Sequence, residues 1–352
     1  MPRLIFLPLE ANNLEIFLEF LNNLVMLVLM FFCYQWLYYL GFNQESHWLF
    51  CGVLSYVYNR ATRIYLGYWP YFFILLGLAY YFAPDFLDGI DFTGSFFLTQ
   101  PYLNQLLLKA SWTLRYELYF YLCFAVLLLL PRKFLLPSLI MVFLLIIAVQ
   151  FYGFFILDMY KPENFHLVTP MYAFYLSPFC LEFLLGCFVA IYFENKRVKY
   201  LLPVVLLGLL CFVLALYYQA HHIEGSLGWG YFNNQRVIFF GLVSLALIVC
   251  LLELEKRNVV LLPKLSLLLG GASYSLYLSH TIILYFMYHF GLCDYLSSIG
   301  DYQILLMLLV VLVIVVYSVA HYLWIEQPLM KLSRKFKAWF QGLINSNKSF
   351  TS

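Results

Sequence analysis

The sequence predicts an all-α, polytopic transmembrane helical bundle of about nine spans with a cytoplasmic C-terminus. Three observations predict it. Hydrophobic residues make up 64% of the 352 residues and charged residues 11%, against about 45–50% and 25% in soluble globular proteins. Apolar runs near the roughly 20 residues that cross a bilayer as a helix recur along the chain. Basic residues gather at alternate junctions between those runs, as the positive-inside rule requires. The mean hydropathy of +0.84 excludes a soluble fold of this size. A net charge of +2 offers nucleic acid no surface to bind.

The predicted spans follow in order. Span 1 covers 20–40. The residues before it carry Glu10, Glu15 and Glu19, which is not the basic start of a signal peptide and fits an outside N-terminus. Arg60 and Arg63 mark a cytoplasmic loop before span 2 (64–83). Span 3 (112–130) ends at Arg132 and Lys133, and span 4 (134–156) returns. Span 5 (170–193) leads to Lys196, Arg197 and Lys199. Spans 6 (201–219) and 7 (236–252) follow, the latter leading to Lys256, Arg257 and Lys264. Span 8 covers 273–292 and span 9 covers 302–325, before Lys331, Arg334, Lys335, Lys337 and Lys348. The acidic residues Asp85, Asp88, Asp91, Asp158, Glu163, Glu224, Asp294 and Asp301 then fall outside. Residues 1–335 read as one integral membrane domain and 336–352 as a basic cytoplasmic tail. The loops are short and no internal repeat is visible. The eight Cys are scattered without a C-x-x-C pair, so neither a zinc ribbon nor a disulfide framework is expected. Cys180 and Cys187 share a helix face and read as packing.

Ionisable groups inside apolar spans are costly and mark functional candidates. Arg60 and Arg63, three apart, share a helix face; paired guanidinium forks suit phosphate, although an interfacial anchor is the plainer reading. Glu117 lies more than a turn into span 3, where a carboxylate needs a partner. It can polarise an acceptor hydroxyl, orient a base, or pair with an arginine of another span. Arg115, two positions away, points elsewhere on the helix. His280 in span 8 is either a proton-transfer group or a hydrogen-bonded packing residue. Glu326 closes span 9, and Pro328 is expected to end that helix. Glu182 and Arg236 are further intramembrane charges.

These segments together resemble the membrane acyltransferase 3 family, integral O-acyltransferases that modify surface glycans. Arg60-x-x-Arg63-Ile64 is similar to the family's R-x-x-R-I-x-P element, with Leu66 in place of its Pro. Trp112-Thr113-Leu114-Arg115-Tyr116-Glu117, followed by Phe120-Tyr121, is similar to its W-S-L-x-x-E segment. Arg236 to Gly241 is similar to an Arg-plus-Gly span start. Ser273-Tyr274-Ser275-Leu276-Tyr277-Leu278-Ser279-His280 resembles S-Y-x-x-Y-L-x-H, and Glu326-Gln327-Pro328 resembles the closing E-x-P. The resemblance covers about residues 50–335.

The resemblance implies a membrane O-acyltransferase. It would pass an acyl group, usually acetyl, from cytoplasmic acyl-CoA (acetyl-CoA) to a hydroxyl of a cell-surface glycan or lipid-linked sugar. Acyl-CoA is then a co-substrate, with no bound cofactor and no metal. Arg60 and Arg63 would bind the acyl donor near the cytoplasmic side. Glu117 and His280 would serve catalysis toward the acceptor. Trp112, Tyr116, Arg236, Tyr274 and Ser275 would bind substrate, and Glu326 and Pro328 would be structural. The expected place is the inner (plasma) membrane, in contact with membrane lipids.

One departure stands out. The family's first span carries an Arg and, eleven positions later, a His taken as the catalytic base. No Arg here has a His at that spacing. The reading is a missing first span, in a truncated reading frame or a degenerate relative, with acyl transfer expected to be slow. Two other functions remain open on sequence: a transporter or flippase of a lipid-linked glycan, and a non-catalytic acyltransferase-like partner.

Overall fold

The computed structural model describes residues 49–159, 162–167, 169–193, 196, 198, 200–222, 234–257, 263–292 and 303–349. The predicted span 20–40 lies outside them. Among the described residues there is no β-strand. The helices are α1 (Leu49–Phe82), α2 (Trp112–Leu127), α3 (Arg132–Phe155), α4 (Phe179–Phe193), α5 (Leu201–His222), α6 (Asn234–Lys256), α7 (Pro263–His289), α8 (Gln303–His321) and α9 (Gln327–Ser349). Four stretches among the described residues are long and apolar enough to cross a membrane: Gly52–Phe82, Lys133–Phe155, Leu267–Met287 and Leu308–Trp339. Phe179–Val189, Leu201–Leu214 and Gly241–Leu254 are shorter apolar helices.

Side-chain exposure shows what solvent these helices meet. On α3, Phe134, Ile140, Met141, Leu144, Leu145, Phe151 and Phe155 are all exposed. On α8 the same holds for Leu308, Leu309, Leu312, Val313 and Val316. Contiguous apolar surface of this kind is not kept in water by a soluble protein. It is the surface that lipid covers.

The chain divides into two compact units. One holds residues 48–129 and 261–352. Its longest element is α1, 34 residues, or about 51 Å at 1.5 Å per residue. Arg60 and Arg63 therefore lie inside this helix and not in a loop before it. No glycine or proline signal stops the helix from starting at Leu49, and two isolated charges do not break helical hydrogen bonding. Pro70 is tolerated within it. Ile64, Tyr68, Tyr71, Phe72, Leu75 and Ala79 are buried at the three-to-four spacing of one helix face.

The connection from Ala83 to Ser111 is more than a short loop. Asp91 caps a one-turn helix, Phe92–Phe96, by accepting from the Gly94 N–H at 2.9 Å. Its other oxygen accepts from Gln100 Nε2 at 2.8 Å. Tyr68 and Tyr65 of α1 donate to the carbonyls of Ser95 (2.9 Å) and Phe97 (2.8 Å). Leu106, Leu107 and Leu108 are buried beneath it. The turn then enters α2 one residue after Ser111, as the span prediction had it.

Three further boundaries differ from the sequence reading. Helix α7 begins at Pro263, ten residues before the predicted span. Proline is at home in a helix's first position, and Gly270-Gly271 does not interrupt it. A Cβ on Gly271 would strike the Tyr322 ring, so this glycine serves close packing. Pro328 does not end the last helix. A π-turn, Tyr322–Glu326, joins α8 to α9. The wider turn accommodates the missing N–H and the bulk of the proline ring. The basic tail thereby continues as helix to Ser349, pinned to the start of α1. Tyr58 Oη bonds Ser333, and Lys337 Nζ donates to Ser55 Oγ (2.5 Å) and Asn59 Oδ1 (2.8 Å).

The second unit holds the described residues of 130–260. The predicted span 170–193 is broken here. A π-turn, Met171–Tyr175, precedes a gap before α4 starts at Phe179. Gln150 Nε2 satisfies the Leu176 carbonyl in that gap at 2.7 Å. Ile248 and Leu252 of α6 pack on Leu185 and Val189 of α4. Buried Glu253 accepts from the Val198 N–H (3.0 Å) and from Arg257 Nε (2.9 Å), while Arg257 also donates to the Val198 carbonyl. These bonds hold the connection between α4 and α5. Cys180 and Cys187 are buried, and Cys180 Sγ donates to the Phe174 and Tyr175 carbonyls.

Candidate functional site

The charged candidates of the first unit converge. Arg60 and Arg63 lie 11 and 14 residues into α1, roughly 17 and 21 Å along its axis. Glu117 lies one and a half turns into α2 and is buried. Arg63 and Arg60 are the cations whose fields reach its carboxylate, and Tyr121 Oη approaches Oε2 at 3.4 Å. The Arg60 guanidinium rests over the rings of Tyr121 (5.3 Å) and Tyr56 (5.7 Å), a cation–π arrangement. The sequence placed donor and acceptor residues toward opposite sides of the membrane. The structure gathers them in one cluster, because the arginines sit deep in a long helix.

Arg63 also acts on Glu326, which leads to a second group of residues. Ser275 Oγ of α7 donates to Glu326 Oε2 at 2.9 Å and lies 3.0 Å from His321 Nδ1 of α8. All three are buried: Ser275 is 0%, His321 4% and Glu326 7% exposed. The Tyr71 ring lies against the imidazole, with centroids 4.3 Å apart. Tyr274 joins the two groups. Its hydroxyl donates to the Ile64 carbonyl at 2.8 Å, one residue from Arg63. Its ring fits because position 67 is glycine; a Cβ there would strike it.

The remaining sequence candidates occupy supporting positions. Tyr116 is buried, edge-on to Trp112 and tilted against Phe120. Arg115 is buried and donates to the Gln100 carbonyl, so it fastens the 92–105 segment to α2. His280 is buried, with Nδ1 3.2 Å from the Leu276 carbonyl. Its neighbour Tyr277 donates to the Ala110 carbonyl (2.6 Å) and accepts from Thr113 (2.9 Å). Pro328 is an exposed residue of the first turn of α9. In the other unit, Glu182 packs against Gly241, whose missing side chain leaves room for its Cγ. Arg236 lies in the first turn of α6; its side chain lies outside the described residues.

Sequence reading passed over His321 and Tyr71, and named Tyr121 only as part of an aromatic pair. An ionisable residue near the end of an apolar run was the available signal for His321. Its tie to Ser275, 46 positions away, was not readable.

Apolar helices that turn hydrophobic surface outward define an integral membrane protein, and one of its two units gathers arginines and carboxylates among its helices. The sequence model of the acyltransferase 3 family, described as an acyltransferase domain, matches residues 25–325, and the chain belongs to that family. It is 29% identical over 228 residues to the exopolysaccharide production protein ExoZ of Rhizobium meliloti (strain 1021), a match covering 64% of this chain and 63% of that protein. The chain thus spans somewhat under two thirds of that curated relative. No solved structure matches.

Proposed function

We infer that this protein is a membrane O-acyltransferase that moves an acyl group, acetyl by expectation, from cytoplasmic acyl-CoA to a hydroxyl of a cell-surface polysaccharide or lipid-linked sugar. The observation that carries the reading is the cluster of buried Glu117 and Tyr121 with half-buried Arg60 and Arg63 in a chain of the acyltransferase 3 family. The name of the relative ExoZ supports a polysaccharide acceptor. The basic junctions, with the basic helix α9 at the C-terminal end, support about nine spans in the inner membrane with a cytoplasmic C-terminus.

The chemistry follows from the residues. The donor's phosphates and thioester oxygen are electron-rich, and guanidinium groups in a low-dielectric setting stabilise both. Arg60, braced by two aromatic rings, and Arg63, shared between two carboxylates, supply that positive charge without having to reorganise. Glu117 holds the arginines in register and accepts from a hydroxyl beside them. Tyr274 and Trp112 offer ring surface on which a sugar stacks.

The test uses the purified full chain in lipid nanodiscs with radiolabelled acetyl-CoA and cello-oligosaccharides. The expected result is label in a base-labile ester on the sugar, with release of free CoA. A chain that neither binds acetyl-CoA nor releases CoA would overturn the reading and favour an inactive relative.

A further inference from the structure

One buried polar atom of the Ser275 group, His321 Nε2, has no hydrogen-bond partner among the described residues. Its ring lies against that of Tyr71. A buried polar group left unpaired is costly and demands an explanation. A group that must stay open for a reactant is one.

Proton counting settles which imidazole nitrogen is open. Ser275 has one hydroxyl proton and gives it to the Glu326 carboxylate. A carboxylate can only accept. Ser275 Oγ must then accept from His321, so Nδ1 carries the ring's proton. In the neutral ring this leaves Nε2 with a bare lone pair. The chain Glu326–Ser275–His321 thus holds an imidazole in one tautomer with its basic nitrogen unoccupied, as second-group bonding does for histidines that work as bases.

We propose that His321 Nε2 is the general base for the acceptor hydroxyl, with Ser275 and Glu326 as its positioning residues. This deepens the acyltransferase reading and rests on it. The hydroxyl proton passes to Nε2 as the oxygen bonds to the thioester carbonyl carbon. The C–S bond then breaks, and the departing CoA sulfur takes the proton back from Nε2. The products are an O-acyl ester and CoA thiol, and the imidazole is neutral again.

His280 offers the sharpest comparison. Its Nε2 also lacks a partner among the described residues, but its ring bonds to backbone carbonyls of its own helix, Leu276 and Tyr277.

The test compares wild type, His321→Asn, His280→Asn, Ser275→Ala and Ser275→Thr in nanodiscs, reading CoA release from acetyl-CoA with cello-oligosaccharides as acceptor. Asn at 321 keeps a donor toward Ser275 and removes the base. His321→Asn should slow turnover about 10²–10⁴-fold while acetyl-CoA binding changes less than about twofold. Ser275→Ala should slow turnover less, and Ser275→Thr should restore it. If wild type turns over and His321→Asn keeps more than about a third of the rate, or His280→Asn alone abolishes it, the base assignment falls and the acyltransferase reading stands. If wild type neither binds nor turns over acetyl-CoA, both fall. Nitrogen NMR of histidine-labelled wild-type chain gives a check independent of folding variants: a protonated Nδ1 and bare Nε2 at His321 support the assignment, and a protonated Nε2 overturns it.

Discussion

The packing between α1 and α7 at Gly67 can be tested with an internal control. In Gly67→Ala the new Cβ would lie 2.7 Å from Tyr274 Cδ1 and closer still to Cε1. The ring cannot swing aside freely, because its hydroxyl is bonded to the Ile64 carbonyl. Overpacking of this kind costs about 1–3 kcal/mol, and losing the hydrogen bond about 0.5–1.5 kcal/mol. Alanine returns about 1 kcal/mol of helix propensity over glycine. The net is a destabilisation of about 0.5–3.5 kcal/mol. Gly77, on the same helix, has nothing within 4 Å of its Cβ position, so Gly77→Ala should be neutral or stabilising by up to about 1 kcal/mol. Thermal unfolding in one detergent should lower the apparent Tm of Gly67→Ala by about 2–4 °C per kcal/mol and leave that of Gly77→Ala unchanged or higher. In a Tyr274→Ala background the cost of Gly67→Ala should vanish, since the clashing ring is gone. A Gly67→Ala chain as stable as wild type, or a cost that persists without Tyr274, would refute the packing argument.

Three other outcomes are expected. Glu117→Gln should reduce CoA release about 10²-fold or more while the chain still folds, because it removes the carboxylate beside Arg60 and Arg63 without changing its volume; an unaffected rate would remove Glu117 from the site. Arg60→Ala and Arg63→Ala should each weaken acetyl-CoA binding about tenfold or more in calorimetry, the worth of a charge-assisted contact of about 1.5–3 kcal/mol; unchanged affinity would sever the arginines from the donor. Glu253→Ala should destabilise the chain by about 1–3 kcal/mol, since the Val198 N–H and Arg257 lose their shared acceptor, and limited proteolysis should then cut between α4 and α5 faster than in wild type.

The candidate site was partly legible. Arg60, Arg63, Glu117, Ser275 and Glu326 stood out because a charge or motif inside an apolar run is conspicuous. Their grouping did not, because a span rule treats arginines as loop markers and places Arg60 and Arg63 at the membrane edge. Pro328 misled for a related reason. Local chemistry says proline stops a helix, and a single π-turn, which no local pattern announces, lets α8 run on into α9. The break at Leu176 before α4 was hidden in an unbroken apolar run, where a buried Gln150 in another helix supplies the missing bond.

By itself the sequence determined the solvent of this protein, the approximate place of most helices and the family it belongs to. Those properties follow from composition, the spacing of apolar residues and the order of short motifs, all of which are local along the chain. Only the tertiary structure decided that Arg63 serves both Glu117 and Glu326, and that Ser275 ties His321 to that carboxylate. Such contacts join residues tens to hundreds of positions apart. They depend on how closely two helices approach, which here turns on glycines at 67 and 271 that leave space for tyrosine rings.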